Sequence, residues 1–309
     1  MRAVVVRAWG GPEQLEPAEV PRPDPAPTEV LVRVHAAGVN PTDWVSRATG
    51  GLGLWGDPPV LGHDVAGVVE EVGLGVTVHR PGDLVLGMPH FPRQAGGYAE
   101  YVVAPARQFV AAPPGLDHVH AAALPLAGLT AWQALVDTAG VRPGQRVLVH
   151  AAAGGVGHLA VQVAKALGAE VVATASAGKH EFVRGLGADE VIDYRAVDFV
   201  RAAGPVDVVV DPVGGAYGER SLDVLRPGGV LVSLLPADDR WAPVAAARGL
   251  RAGFMLVEPD RAALAAVTAL VAEGRLRPHV AHVLPLERAA EAHQLGEAGG
   301  LTGKIVLVV

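Results

Sequence analysis

The chain has 309 residues, 50% hydrophobic and 18% charged, enough for two cores of about 150 residues each. A net charge of −7, with no dense run among the 25 basic residues, argues against a nucleic-acid surface. No apolar run nears the ~20 residues of a membrane span, and the lack of cysteine removes disulfides, thiol nucleophiles and cysteine-bound metals.

Residues 1–110 read as short strands divided by turns: Arg2–Arg7, Glu29–Gly38, Val65–Val72, Asp83–Gly87 and Tyr98–Val103. Pro21–Pro27 is an extended connector, and the whole segment suggests an antiparallel, barrel-like module. The apolar core of Met1–Arg7 is too short for a signal peptide, and mild acidity suits a cytoplasmic protein. From Ala121–Thr138, a long helical stretch, the texture changes. Strands are expected at Val147–His150, Val171–Thr174, Val191–Asp193, Val206–Asp211, Val230–Leu235 and Arg251–Val257. Helices are expected at Val156–Leu167, Lys179–Leu186, Gly218–Leu225 and Arg261–Glu273. Strands of nearly continuous Val, Ile and Leu suit a sheet covered on both faces, so the fold class is α/β with a doubly wound parallel sheet. Beyond Gly274 come an extended piece (Val280–Leu284), a helix (Leu286–Ala298) and a last strand (Lys304–Val309). That strand has no partner left in the sheet and is expected to return to the first module. The expected domains are therefore 1–120 with 275–309, and 121–274.

The most informative stretch is His150–Gly157, a tight turn between an apolar strand and an alanine-rich helix. It reads A-x-G-x-x-G, with Ala152 in place of the usual first glycine. Gly154 lets backbone approach a pyrophosphate, and Gly157 lets the helix pack on the strand. Gly155, Val156 and Gly157 start the helix, where amides and dipole favour an anion. An NAD site places a carboxylate at the end of the second strand for the ribose hydroxyls. Here that strand runs into Ser176-Ala-Gly-Lys179, a hydroxyl and an ammonium where a 2′-phosphate would lie, which points to NADP(H). The chain has 22 Arg and only three Lys (Lys165, Lys179, Lys304), so each retained lysine merits inspection.

Seven segments in order carry a wider resemblance: Gly38–Asp43, Leu61–Val69 with Gly73, Pro81–Val85, Gly96–Val102, Leu126–Trp132, Ala151–Gly157 and Thr302–Lys304. With them the chain resembles the zinc-independent, zeta-crystallin-like quinone oxidoreductases of the medium-chain dehydrogenase/reductase superfamily. The resemblance implies a GroES-like catalytic domain, a Rossmann domain and an NADP(H) cleft. It also implies a homodimer through an edge of the Rossmann sheet, for which the runs Val230–Leu235 and Arg251–Val257 are candidates.

Zinc-dependent relatives carry cysteine at the place of Asn40 and His-Glu at the place of His63-Asp64, so no three-ligand catalytic zinc is expected here. His63 reads as a hydrogen-bonded structural residue. By the same resemblance Asn40, Pro41 and Thr130 line the nicotinamide end, and Tyr194 supports the adenosine phosphate. Backbone around Ser233, Leu234 and Leu235 and around Met255 and Val257 contacts the ring, and Lys304 closes over the cofactor. Asp43 reads as a proton relay, or as a structural salt bridge or turn cap, the structural role being preferred. The loop Gly50–Pro59 has no tyrosine; Trp55 can stack on a flat substrate but donates no useful proton, which leaves solvent as the proton source.

The expected activity is NADPH-dependent hydride transfer to a quinone or an α,β-unsaturated carbonyl, with small molecules as the only ligands. An enoyl-type tailoring reductase and a noncatalytic, crystallin-like NADPH binder are the other readings the residues allow.

Overall fold

β-branched runs broken by Gly and Pro build the first unit. Its elements are β1 (Arg2–Val6), β2 (Leu15–Glu19), β3 (Glu29–Val39), α1 (Pro41–Thr49), β4 (Asp64–Val72), β5 (Leu84–Gly87), β6 (Tyr101–Pro105), β7 (Phe109–Ala111), α2 (His118–Ala122) and α3 (Pro125–Trp132). In the second unit βα repeats follow: β8 (Arg146–Val149), α4 (Gly157–Ala166), β9 (Glu170–Ala175), α5 (His180–Gly185), β10 (Glu190–Asp193), α6 (Phe199–Ala202), β11 (Val206–Asp211), α7 (Ala216–Ser221), β12 (Leu225–Ser233), α8 (Trp241–Ala247) and β13 (Arg251–Phe254). The chain ends with α9 (Arg261–Ala272), β14 (Val280–Pro285), α10 (Ala289–Ala298) and β15 (Lys304–Val308). The computed structural model describes every residue from Met1 to Val309.

By contacts, one unit is Met1–Leu129 with Glu258–Ala272 and Pro278–Val309, and the other is Thr130–Val257 with Glu273–Arg277. Residues 121–129 and helix α9, placed in the second domain on sequence grounds, group with the first unit. The reason is packing: α2 sits on β3 and β4, and α9 sits on β7.

The first unit is a seven-strand sheet ordered β14-β15-β3-β4-β5-β7, with β6 also on β3. Along the edge of β3 that β4 leaves open, β6 takes Glu29–Arg33 and β15 takes Ala36–Val39. One long strand with two bulges thus serves three partners and curls the sheet. Val30, Val32, Val34, Val65, Val85 and Phe109 fill the inside. A second cluster packs Val4, Val5, Leu61 and Tyr98 against Ala289 and Ala292 of α10.

The second unit is the expected parallel sheet, ordered β10-β9-β8-β11-β12-β13. In terms of its own strands this is 3-2-1-4-5-6, with the switch point between β8 and β11. Three expectations need correction. The 121–138 stretch is not one helix but α2, α3 and a π-helical turn at Gln133–Thr138. Strand 251–257 stops at Phe254. And Val230–Leu235 cannot be a dimer edge, because β12 is flanked by β11 and β13; of the two candidate runs only that of β13 has an open side.

Candidate functional site

The glycine turn sits at the carboxyl end of β8, beside the switch point. Its geometry is held from below: the His150 amide bonds Val210 O at 3.0 Å, and the Ala152 amide bonds Thr174 O at 3.0 Å. The His150 ring joins Thr174 Oγ1 at 3.1 Å and Ser221 Oγ at 3.0 Å. Burial, with a smaller push from Arg220, drops its pKa to about 3, so it is a neutral strut. Ala151 takes the left-handed turn at φ 46°. A Cβ on Gly157 would lie 2.8 Å from Ala152 Cα and closer still to Ala151 O, whereas one on Gly154 meets only Ala151 O at 3.2 Å. Gly157 is the close-packing position and Gly154 the more open one. With Gly155 and Val156 they present the first amides of α4, which have no partner within the helix.

Adjacent parallel strands bring the adenosine-end candidates to the same edge. Ser176 follows β9, Lys179 closes the turn Ala177–Lys179, and Tyr194 follows β10. The structure adds Arg195, which sequence reasoning did not single out. Its guanidinium lies 5.7 Å from the centre of the Tyr194 ring. Burial lowers the Lys179 pKa, and the like charge of Arg195 lowers it further. Two cations are therefore held within mutual repulsion where no carboxylate ends β9, an arrangement that fits a phosphate. The only sequence signal for Arg195 was a basic residue two positions past the third strand.

At the ends of β12 and β13 the candidates turn inward. Ser233 O accepts from Met255 N at 2.9 Å, Ser233 Oγ donates to Asp238 at 3.0 Å, and Leu234 N donates to Asp211 O at 3.0 Å. The Ser233 and Leu234 backbone groups expected to meet a ring are thus used within the fold, and Val257 is buried. Leu235 and Met255 keep partial exposure. Two carboxylates missed from sequence shape this end: Asp211 caps Val213 N and Gly214 N at 2.8 and 3.0 Å, and Asp238 takes Gly215 N at 3.2 Å. Burial, partly opposed by those amides and reinforced by Asp238, raises the Asp211 pKa.

In the first unit the expected cofactor residues form a closed polar core. Lys304 donates to Val39 O at 3.1 Å, to Asp64 Oδ2 at 3.0 Å and to Asn40 Oδ1. With three protons used and 4% exposure, it clamps β15 to β3 and β4 rather than closing over a cofactor. Asn40 is likewise turned inward, donating to Asp64 at 2.9 Å, while Asp64 Oδ1 takes Leu126 N at 2.6 Å. Pro41 opens α1 and is exposed, and Thr130 is buried on α3 just before the π-helical turn. Asp43 is a cap, accepting from Asn40 N at 2.8 Å, and more: its other oxygen faces Gly62 N at 3.3 Å and His63 Nδ1 at 3.2 Å. Burial alone would raise its pKa, but His63, His293 and the Asn40 amide together hold it below the usual range. Trp55 donates to Gly50 O at 2.8 Å, and its ring is tilted against His63 with centroids 6.1 Å apart. No three His, Asp or Glu side chains converge to hold a metal.

Two protein families match the chain: an alcohol dehydrogenase GroES-like domain over residues 26–114 and a zinc-binding dehydrogenase over residues 186–307. The spectinabilin polyketide synthase component NorB of Streptomyces orinoci is 41% identical over 92% of this chain, which spans only 13% of that protein. Quinone oxidoreductase of Pongo abelii is 33% identical over 100% of this chain and 98% of its own. Among solved structures, quinone oxidoreductase from Coxiella burnetii superposes with a TM-score of 0.94 at 39% identity, covering 100% of this chain and 99% of its own. A 2-haloacrylate reductase gives 0.85 at 35% identity, covering 100% and 99%.

Proposed function

The chain belongs to the quinone oxidoreductase family of the medium-chain dehydrogenase/reductases, and from that premise we propose that it is an NADPH-dependent, zinc-independent reductase of quinones or α,β-unsaturated carbonyls. The observation that carries the cofactor choice is the Lys179–Arg195 cation pair past the ends of β9 and β10, where β9 does not end in an acidic residue that could bind ribose hydroxyls. Gly154–Gly157 would hold the pyrophosphate, and Ser176, Lys179, Tyr194 and Arg195 the 2′-phosphate. The cofactor, when bound, supplies the hydride. The chain's own residues bind and orient: amides of α4 fix the diphosphate, and the His150–Thr174–Ser221 bonds keep the turn rigid.

For the acceptor, support comes from the names of the relatives, quinone reductases and a haloacrylate reductase. Electron-poor acceptors take hydride without a Lewis acid, and here Asn40 and Asp64 are engaged by Lys304 rather than set out as ligands. The similarity to NorB favours a second reading, an enoyl thioester as acceptor. Under the same proposal the protein is a homodimer paired through the open side of β13, and light scattering should return twice the 31.7 kDa chain mass.

The test is consumption of NADPH and NADH by metal-stripped protein offered a quinone, a 2-alkenal, a cyclic enone and a crotonyl thioester. Chelator-resistant turnover with NADPH, much slower with NADH, is expected. NADPH binding with no turnover of any acceptor would refute the enzyme reading in favour of a noncatalytic binder.

A further inference from the structure

We propose that His63, held by Asp43, is the proton donor that completes enone reduction, delivering a proton from Nε2 to the substrate's α-carbon. The inference rests on the reductase reading above and names a residue for its protonation step.

Four observations converge on this imidazole. His63 is 1% exposed, and Nδ1 lies 3.2 Å from Asp43 Oδ1. An ionised Asp43 requires a proton on Nδ1, which leaves Nε2 as the working nitrogen and lets the carboxylate stabilise an imidazolium. Nε2 is buried and has no hydrogen-bond partner. A histidine serving only to fill space would be destabilising there compared with an apolar residue.

Behind the pair a polar chain runs inward. Tyr98 is buried, hydrogen-bonds Asp43, and has its hydroxyl 3.2 Å from His293 Nε2. Asn40 N and Gly62 N also donate to Asp43. The carboxylate is thus fixed by the residue before α1, the turn before β4 and the segment before β6, with His293 of α10 bonded to Tyr98 behind it. A residue needed only to cap α1 would not require that many partners.

Two aromatic rings pack around the imidazole, Phe91 at 5.0 Å and Trp55 at 6.1 Å between centroids. Trp55 belongs to the glycine-rich loop 50–59, and its one ring hydrogen bond, to Gly50 O, stays within that loop. Leu52 and Leu54 just before it are exposed, and Gln94 holds the loop on both sides of Trp55, donating to Leu54 O at 3.0 Å and accepting from Gly56 N and Val60 N at 3.0 Å each. Trp55 can swing away with its loop when the Leu54 O and Gly56 N bonds to Gln94 open. Its departure would leave an apolar wall beside Nε2 against which a flat enone can lie.

The step balances simply. Once hydride has been added to the β-carbon, the former C=C pair resides in an enolate. The enolate's α-carbon takes the Nε2 proton, so a C–H bond forms as the N–H bond breaks, and the imidazolium becomes neutral imidazole. Solvent returns the proton before the next turnover. A quinone makes no such demand, because its reduced oxygens protonate from water. His63 thus points to carbon–carbon double bonds as the acceptors for which the site is built.

The experiment is reduction of a 2-methyl cyclic enone by NADPH in D2O, with wild-type protein and the His63→Gln variant. Wild type should place deuterium on one face of Cα and yield one configuration. H63Q should lose about 100-fold in kcat with KM within threefold, and its product should be racemised at Cα. A purely structural histidine would not randomise that centre. Circular dichroism and NADPH binding verify the fold; should H63Q fail them, His63→Gly with added imidazole must regain turnover. A wild type without facial preference, an H63Q that keeps full kcat and configuration, or an H63G blind to imidazole overturns the assignment. A wild-type protein that reduces neither enones nor quinones overturns the reductase reading itself, and this inference with it.

Discussion

Replacing Lys179 or Arg195 by alanine probes the cofactor assignment directly. A charge-assisted hydrogen bond to a phosphate contributes roughly 1.5–3 kcal/mol. Lys179 is partly buried, so its contact belongs in the middle of that range, about 2 kcal/mol, or roughly 30-fold in selectivity. Arg195 lies over Tyr194, which is 40% exposed, and solvent screening places it near the bottom, roughly 10-fold. The two effects should combine to less than their product. Arg195 makes Lys179 harder to charge when no phosphate is present, and removing Arg195 relieves that repulsion. The assay is kcat/KM for NADPH and for NADH with one acceptor at two ionic strengths. The NADPH/NADH ratio should fall in each variant, and wild-type selectivity should shrink as salt rises. A ratio unmoved in K179A, or NADH turnover that falls in step with NADPH, would refute the placement of the 2′-phosphate.

Three further outcomes follow from the geometry. Lys304→Met should destabilise the fold by about 3–5 kcal/mol, because Asp64 is left as an uncompensated buried charge; thermal unfolding reads this, and a loss of NADPH affinity with unchanged Tm would restore the cofactor-closing role. Gly157→Ala should abolish NADPH binding while Gly154→Ala weakens it only modestly, since the first clashes with backbone and the second sits at 3.2 Å; fluorescence titration of NADPH decides, and equal losses would contradict the division of roles. His150 and His293 have folded pKa values of about 3 and about 4, below the unfolded 6.5, so the unfolded chain binds more protons across that window. Stability is then fully present above pH 6.5 and is lost as pH falls toward these values. His150→Gln should remove about 1.4 kcal/mol per pH unit of that slope in denaturant titrations, and an unchanged slope would count against a neutral buried ring.

How much of this was legible in the chain differs by element. The parallel sheet was, because a strand covered on both faces must be apolar at every position, and Val206–Asp211 or Val171–Thr174 can be little else. The glycine turn was, because Gly157 answers a backbone contact no side chain tolerates. Helix α1 and strand β2 were not: Pro41–Thr49 and Leu15–Glu19 have mixed patterns stabilised by tertiary partners, α10 and β1 respectively. Nor was the split of 121–138, whose continuous apolar character hides the breaks at Ala123 and at the π-helical turn.

At the candidate site the division is sharper. The sequence by itself determined the chemistry available: no thiol, no carboxylate after β9, a hydroxyl and an ammonium in its place, and an A-x-G-x-x-G turn. Only the tertiary structure decided what each polar group faces. Lys304, Asn40 and Asp64 lie far apart in the chain, and their mutual bonds arise because β15 returns beside β3 and β4; the burial of each charge then demands the others. His63, Asp43, Tyr98 and His293 come from four separate segments, and a sequence carries no record of which nitrogen is left without a partner. Composition and spacing follow local backbone rules, whereas hydrogen-bond satisfaction in a buried core is a property of the assembled fold.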